Sequence, residues 1–362
     1  MKKSKFAVCI FTIVYAVCLL VIWMKPDGAF SVTERRKLTQ KPQLTVDSLL
    51  QGTYMEKAEE YVTDQFPARD FLRTVKASFQ RYILQSRDNN GIYCKDGYLA
   101  KMEYPISEES IAHASEVFNG IHEKYLEKTD VKPYLCVIPD KNNLLAGEEY
   151  PAFDYDDFAG KIKEGTSFAR FISVYENLEL SDYYKTDSHW RQEKITDIAD
   201  GIAEEMGISL SGEYEQIQLE TPFYGVYYGQ MALPIKPDRI GFCTNSILDQ
   251  CIVYDHENGK EIPMYDITKA EGRDPYELFL GGNISLVTIE NPNAVSQKEL
   301  VVFGDSFARS LVPLLAEGYA KTTLVDIRYL PSASVGKFIS FENQDVLFIY
   351  STSVLNNSIT LK

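Results

Sequence analysis

Residues 299–353 alternate between two textures, and that alternation constrains the fold more than any other feature. "ELVVFGDSF" reads as a strand, "ARSLVPLLAEGY" as a helix, "KTTLVDIRYL" as a strand, "ASVGKFISFEN" as a short helix and "DVLFIYSTS" as a strand. Strands that alternate with helices build βαβ units, and so a parallel sheet. The same grammar occurs earlier. Residues 107–128 are amphipathic through Ile111, Ala114, Val117, Phe118 and Ile121, and "KPYLCVIPDKNN" follows as a buried strand stopped by Pro139. Residues 192–206 supply another helix, stopped by Gly207. The expected class is α/β, a parallel sheet with flanking helices. Between about 213 and 299, tyrosine, glycine and proline crowd together and alternation replaces helical periodicity, which reads as a β-rich insertion.

Open α/β sheets gather ligands at the carboxyl ends of their strands. That rule selects Gly304, Asp305 and Ser306, then Arg328, Tyr350, and Asp140 with Lys141. A serine on a sharp strand-to-helix turn is exposed, and its backbone N–H points where an oxyanion would form. The same residues also suit helix capping by Asp305 or Ser306. A nucleophilic serine needs a base, and the chain has four histidines. His113 and His122 sit on an amphipathic helix among lysines and glutamates, and His256 in the turn "DHENGK". His189 differs: in "YYKTDSHW" it follows Asp187 by two residues, so a carboxylate could hold Nδ1–H while Nε2 faces a serine. Thr186, Asp187 or Ser188 could equally cap the helix that follows. A metal is not expected, since no second His or Cys lies near, and no cofactor is implied.

The N-terminus bounds location. Lys2, Lys3 and Lys5 precede 19 uncharged apolar residues, 6–24, enough for about 28 Å of helix and one hydrocarbon core. No small-residue cleavage site follows, so a signal anchor is expected, with a cleaved signal as the alternative. The flanking lysines should stay inside, which places the remainder outside the cell in a single-pass arrangement. The expected organisation is 1–5 cytoplasmic, 6–24 transmembrane, 25–86 linker and N-terminal helices, and 87–362 the α/β domain. Net charge is −15 with acidic and basic residues interspersed, which excludes a nucleic-acid partner. Cys94, Cys136, Cys243 and Cys251 match no zinc spacing and read as buried thiols, with disulfides the alternative.

"TDSHW" together with "FGDSF" resembles the DHHW family and the alginate O-acetylation proteins of the SGNH-like hydrolase superfamily. "ERRKLTQKPQLT", "YVTDQFPARDFL", "NGIYCKDGYLA", "YYGQMALPIKPDRI", "FLGGNISLV", "VDIRYL" and "DVLFIYSTSVLNN" match the DHHW pattern in order, over nearly the whole chain. Ser188 stands where the family name has its first histidine. The resemblance implies an SGNH-like (flavodoxin-like) fold and a triad of Ser306, His189 and Asp187. It implies an anchored enzyme that transfers or hydrolyses acetyl groups on cell-surface polysaccharide, with a membrane protein as acyl donor. No Gly-x-Asn-Asp block supplies an oxyanion asparagine; Asn283 in "GGN" is one candidate, and the Ser306 N–H with Arg328 or Tyr350 another. Lys141 joins them as a substrate-binding candidate. The alternative is a non-catalytic polysaccharide-binding or assembly protein that keeps the fold, its tyrosine-rich 213–242 stretch stacking on sugars.

Overall fold

Residues 2–362 are described in a computed structural model, with the side chains of Lys2, Lys3, Ser4, Ala7, Leu19 and Trp23 left aside. The chain divides into two compact units, one of residues 1–92 with 228–236 and one of residues 93–227 with 237–362. The first unit holds helices α1 (Lys2–Met24), α2 (Thr53–Asp64) and α3 (Arg69–Tyr82). Pro67 separates the last two, as "FPARD" foretells. Among the described residues no helix is long and apolar enough to cross a membrane. The span expected at 6–24 therefore rests on sequence alone, and Ala7, Leu19 and Trp23 within it lie outside the described side chains. The inside of this unit is ionic: Asp64 accepts from Arg36 and from the Thr39 N–H, which holds its carboxyl well below the usual range.

The second unit follows the expected grammar. Its elements in chain order are α4 (Glu108–Ile121), β1 (Lys132–Ile138), α5 (Tyr155–Gly165), β2 (Arg170–Ile172), α6 (Thr196–Glu205), β3 (Glu215–Phe223) and β4 (Asp238–Thr244). Then come β5 (Ile252–Asp255), β6 (Lys260–Ile262), β7 (Leu286–Glu290), β8 (Glu299–Gly304), α7 (Ser306–Ala316), β9 (Lys321–Val325) and β10 (Asp345–Ser351). The main sheet has eight strands in the order β6-β5-β7-β9-β8-β10-β1-β2. From β9 to β2 every pairing is parallel, and β7, β5 and β6 extend the sheet antiparallel. The 213–299 stretch is thus not one insertion. Only β3 and β4 form a separate antiparallel pair, while the rest completes the main sheet.

Side chains of the central strands divide by parity, as the pleat requires. Leu300, Val302, Leu347, Ile349, Cys136 and Ile138 face α6 and α7 in one core layer. Val301, Phe303, Val346, Phe348, Leu135 and Val137 face α4 and α5 in the other. Both faces are covered, which explains the near-continuous apolar runs of these strands. Of the four thiols expected to be buried, Cys136 and Cys243 are, and burial pushes their pKa values up to about 12; Cys94 and Cys251 are only half-buried.

Candidate active site

Strand β8 ends at Gly304 and hands the chain to α7 through Asp305. A Cβ on Gly304 would stand 2.5 Å from the Ala308 Cβ and 3.1 Å from the Ile349 carbonyl oxygen, so only glycine lets the helix pack this closely. Asp305 caps the helix: its Oδ1 accepts from the Phe307 N–H at 2.9 Å. Its Oδ2 accepts from the N–H and hydroxyl of Ser351 at the end of β10, at 2.8 and 2.6 Å. With Asp305 in that role Ser306 is released from capping. Ser306 becomes the first helical residue, where backbone N–H groups lack intrahelical acceptors. Its Oγ lies 2.8 Å from His189 Nε2.

His189 is fixed from three sides. Nδ1 lies 2.6 Å from Asp187 Oδ1, and because a carboxylate only accepts, Nδ1 carries the proton and Nε2 presents a lone pair to Ser306. Its ring stacks on Tyr276, with centroids 3.9 Å apart and planes at 11°, and Phe307 packs at 4.9 Å. The Tyr276 hydroxyl donates to Ser310 Oγ at 2.7 Å, and Trp190 Nε1 donates to the same oxygen at 2.8 Å and to the Phe307 carbonyl at 3.1 Å. Gln192 Nε2 donates to the Ser310 carbonyl at 2.6 Å. "SHW" and the residues after it are therefore bolted to the first turns of α7, the helix that begins with Ser306.

Asp187 is fully buried, and both its oxygens are occupied. Oδ1 also accepts from the His189 N–H at 3.2 Å, and Oδ2 accepts from the Val226 N–H at 2.8 Å. The preceding residues hang on Asp238 of β4, whose carboxylate accepts from the Lys185 N–H, the Thr186 N–H and the Thr186 hydroxyl at 2.9, 2.7 and 2.6 Å. Gly225 closes the arrangement: its N–H donates to Thr186 Oγ1 at 3.0 Å. A Cβ there would stand 2.2 Å from the Thr186 carbonyl oxygen and 2.3 Å from the Asp187 nitrogen, both backbone atoms. Gly225→Ala is accordingly expected to displace Asp187 by a fraction of an ångström to an ångström. It should lower kcat about 10- to 100-fold in a protein that still folds, since small misplacements of a catalytic group cost that much. Steady-state kinetics beside a thermal melt checks this.

Lys141, expected as a substrate contact, is buried and its ammonium is taken up by the turn that carries Asp187. Its Nζ donates to the Tyr184 carbonyl and, at 3.4 Å, to that of Lys185, with the rings of Tyr227 and Tyr98 at 5.4 and 5.9 Å. Burial pulls its pKa down to about 8 against the opposing pull of Asp187, Asp238 and Asp140. The folded state then binds fewer protons than the unfolded one between pH 8 and 10.5, so this group adds stability as pH rises through that window. Below pH 8 its desolvation penalty is present in full. Lys141→Met should remove up to about 3 kcal/mol of that rise, taking 1.36 kcal/mol per pKa unit. Denaturation of both proteins at pH 8 and pH 10 measures the difference in slope.

The other expected residues scatter. Arg328 follows β9 and forks onto Asp326, Nε to Oδ1 at 2.9 Å and NH2 to Oδ2 at 2.7 Å; burial opposes its charge, but Asp326, with help from Asp305, outweighs that and raises its pKa above the ordinary value. Asn283 is exposed in the turn before β7. Tyr350 does not face the crevice. One residue of strand parity puts it in the α4 layer, its ring 5.2 Å from Phe118, while Ser351 takes the position beside Asp305. Its buried hydroxyl has no hydrogen-bond partner. Tyr276, Asp238, Gly225 and Val226 are not legible as site residues in the sequence, because each reaches the site from 38 or more residues beyond Asp187 with no periodic signal. Among the described residues no group of three or more His, Cys, Asp and Glu could hold a metal ion.

No family model matches the chain, and no curated protein matches it either. Solved structures do. A DHHW family protein from Eubacterium siraeum superposes with a TM-score of 0.59 at 21% identity, covering 74% of this chain and 93% of that one. PatB1 of Bacillus cereus, solved with a sulfonyl adduct, gives 0.59 at 19% identity over 73% of this chain and 95% of that one. PatB1 without it gives 0.58 at 19% identity, covering 73% and 96%. At these identities the likeness is one of fold: the chain has the α/β architecture of these proteins.

Proposed function

We propose that this chain is a serine acyltransferase or esterase of the DHHW and SGNH-like type, acting on acetyl esters of cell-surface polysaccharide. One observation carries the proposal: Ser306 Oγ, His189 Nε2, His189 Nδ1 and Asp187 Oδ1 form a continuous relay with steps of 2.8 and 2.6 Å. Ser306 Oγ attacks the acyl carbonyl while His189 Nε2 takes its proton, and Asp187 stabilises the imidazolium. The oxyanion forms at the N-terminus of α7, where the Ser306 N–H and the helix dipole favour negative charge. Collapse expels the alcohol, which receives the proton from His189 and leaves an acyl group on Ser306. A second hydroxyl, of a sugar or of water, gives its proton to His189, takes the acyl group and restores the serine.

The sulfonyl adduct of PatB1 supports this reading, because a sulfonyl group is taken up by a nucleophilic side chain. In the same proposal residues 6–24 anchor the chain in the cell membrane, the catalytic unit lies outside, and a membrane protein supplies the acyl group. Turnover of a chromogenic acetyl ester by the full chain in detergent tests the chemistry, and acetyl content of an exported polysaccharide tests the substrate. An intact relay with no turnover on any acetyl ester would leave a binding protein as the better description.

A further inference from the structure

Charge and apolar surface are divided unevenly between the two units. The unit of residues 1–92 and 228–236 holds 15 Lys and Arg against 9 Asp and Glu, and the other unit holds 22 against 43. A chain of net charge −15 thus carries one unit at +6 and one at −21. Lys2, Lys3 and Lys5 supply only half of that positive excess.

Helix α3 of the basic unit is built inside out. Its inward side is ionic: Arg69 and Arg73 both pair with Glu34, and Arg73 donates to the Gly229 carbonyl at 2.7 Å. Its outward side is apolar. Phe71, Val75 and Phe79 fall four apart on one face and are 67%, 48% and 51% exposed, with Leu72 beside them and the C-cap Ile83, 66% exposed, continuing the row. Ala77 is the buried residue of this helix. A helix that ends in water places these two classes the other way round. Lys76, also exposed, borders the apolar stripe, with a stem long enough to lie along apolar surface while its ammonium reaches a polar layer.

We propose that this face of α3 lies in the interface of an anionic lipid bilayer, with Phe71, Val75 and Phe79 at the acyl boundary and Lys76 among the headgroups. An apolar stripe bordered by a lysine whose ammonium can reach the headgroups suits an interfacial helix, and a net positive unit is what an anionic surface attracts. A second copy of this unit would instead set like charge against like. The inference is independent of the catalytic proposal and of whether α1 crosses the bilayer.

The test places the photoreactive residue p-benzoylphenylalanine at position 79 of the full chain, and separately at Val295, an exposed position of the acidic unit. Each protein is reconstituted into phosphatidylcholine vesicles with and without phosphatidylglycerol, illuminated, and its peptides weighed. Lipid adducts at 79 and none at 295 are expected. Adduct at 79 should fall about fivefold or more without the anionic lipid, the effect of one basic residue near such a surface. Adducts at 79 to a second copy, to the acidic unit or to another protein would overturn the proposal. So would an absence of lipid adduct, or equal lipid adduct at both positions.

Discussion

Ser306→Ala is expected to lower turnover of an activated acetyl ester by roughly four to six orders of magnitude, while leaving the fold intact. The size follows from what the hydroxyl does: without Oγ no acyl intermediate forms, and what remains is binding and oxyanion stabilisation acting on water. The fold should survive because Ser306 is not the cap of α7. Asp305 holds the Phe307 N–H and ties the turn to Ser351, so the strand-to-helix junction keeps its own hydrogen bonds. The missing bond to His189 Nε2 lies at a half-buried position, and an unchanged melting temperature is expected beside the kinetic loss.

Asp187→Asn should cost nearly as much, about 10⁴-fold in kcat, by a different route. The carboxylate accepts at both oxygens, from His189 on one side and from the Val226 N–H on the other. An asparagine has one acceptor oxygen and one donating NH2. If the oxygen keeps Val226, the NH2 faces His189 Nδ1 and selects the tautomer with a proton on Nε2, so Ser306 loses its base; the NH2 then also meets the His189 N–H, whose bond to Oδ1 is the longer one at 3.2 Å against 2.8 Å for Val226. If the oxygen keeps His189, the NH2 meets the Val226 N–H in a fully buried place, donor against donor. The first arrangement is the less costly, so the variant should fold with an inverted imidazole. Loss of the far-downfield Nδ1–H proton signal, with the far-UV spectrum unchanged, would register that inversion directly.

Much of this was legible in the sequence, and the failures have physical causes. The parallel sheet was legible because strands buried on both faces are continuous apolar runs and their helices keep the 3.6 period. The strand-end serine was legible for the same reason. Tyr350 was misplaced by parity: a strand's last residues lie on opposite faces, and nothing local says which one looks toward the site. Lys141 ends a strand, as a substrate contact in this fold class would, yet its ammonium turns back onto the Tyr184 carbonyl. The groups that hold Asp187 were invisible, since Gly225, Val226 and Asp238 come from a tyrosine-rich stretch whose β3 and β4 pair carries no helical or parallel signature. The composition showed charges interspersed along the chain, and only the division into units separated a basic part from an acidic one.

Covalent capture tests the central claim most directly. The full chain and its Ser306→Ala and His189→Ala variants are treated with phenylmethylsulfonyl fluoride, weighed intact, and digested to place the adduct. The account predicts a single sulfonyl group on the peptide that begins α7, attached at Ser306, absent from the Ser306→Ala protein and formed at least about 100-fold more slowly without His189. A sulfonyl group on another residue, or labelling of Ser306 at the same rate in the His189→Ala protein, would contradict it.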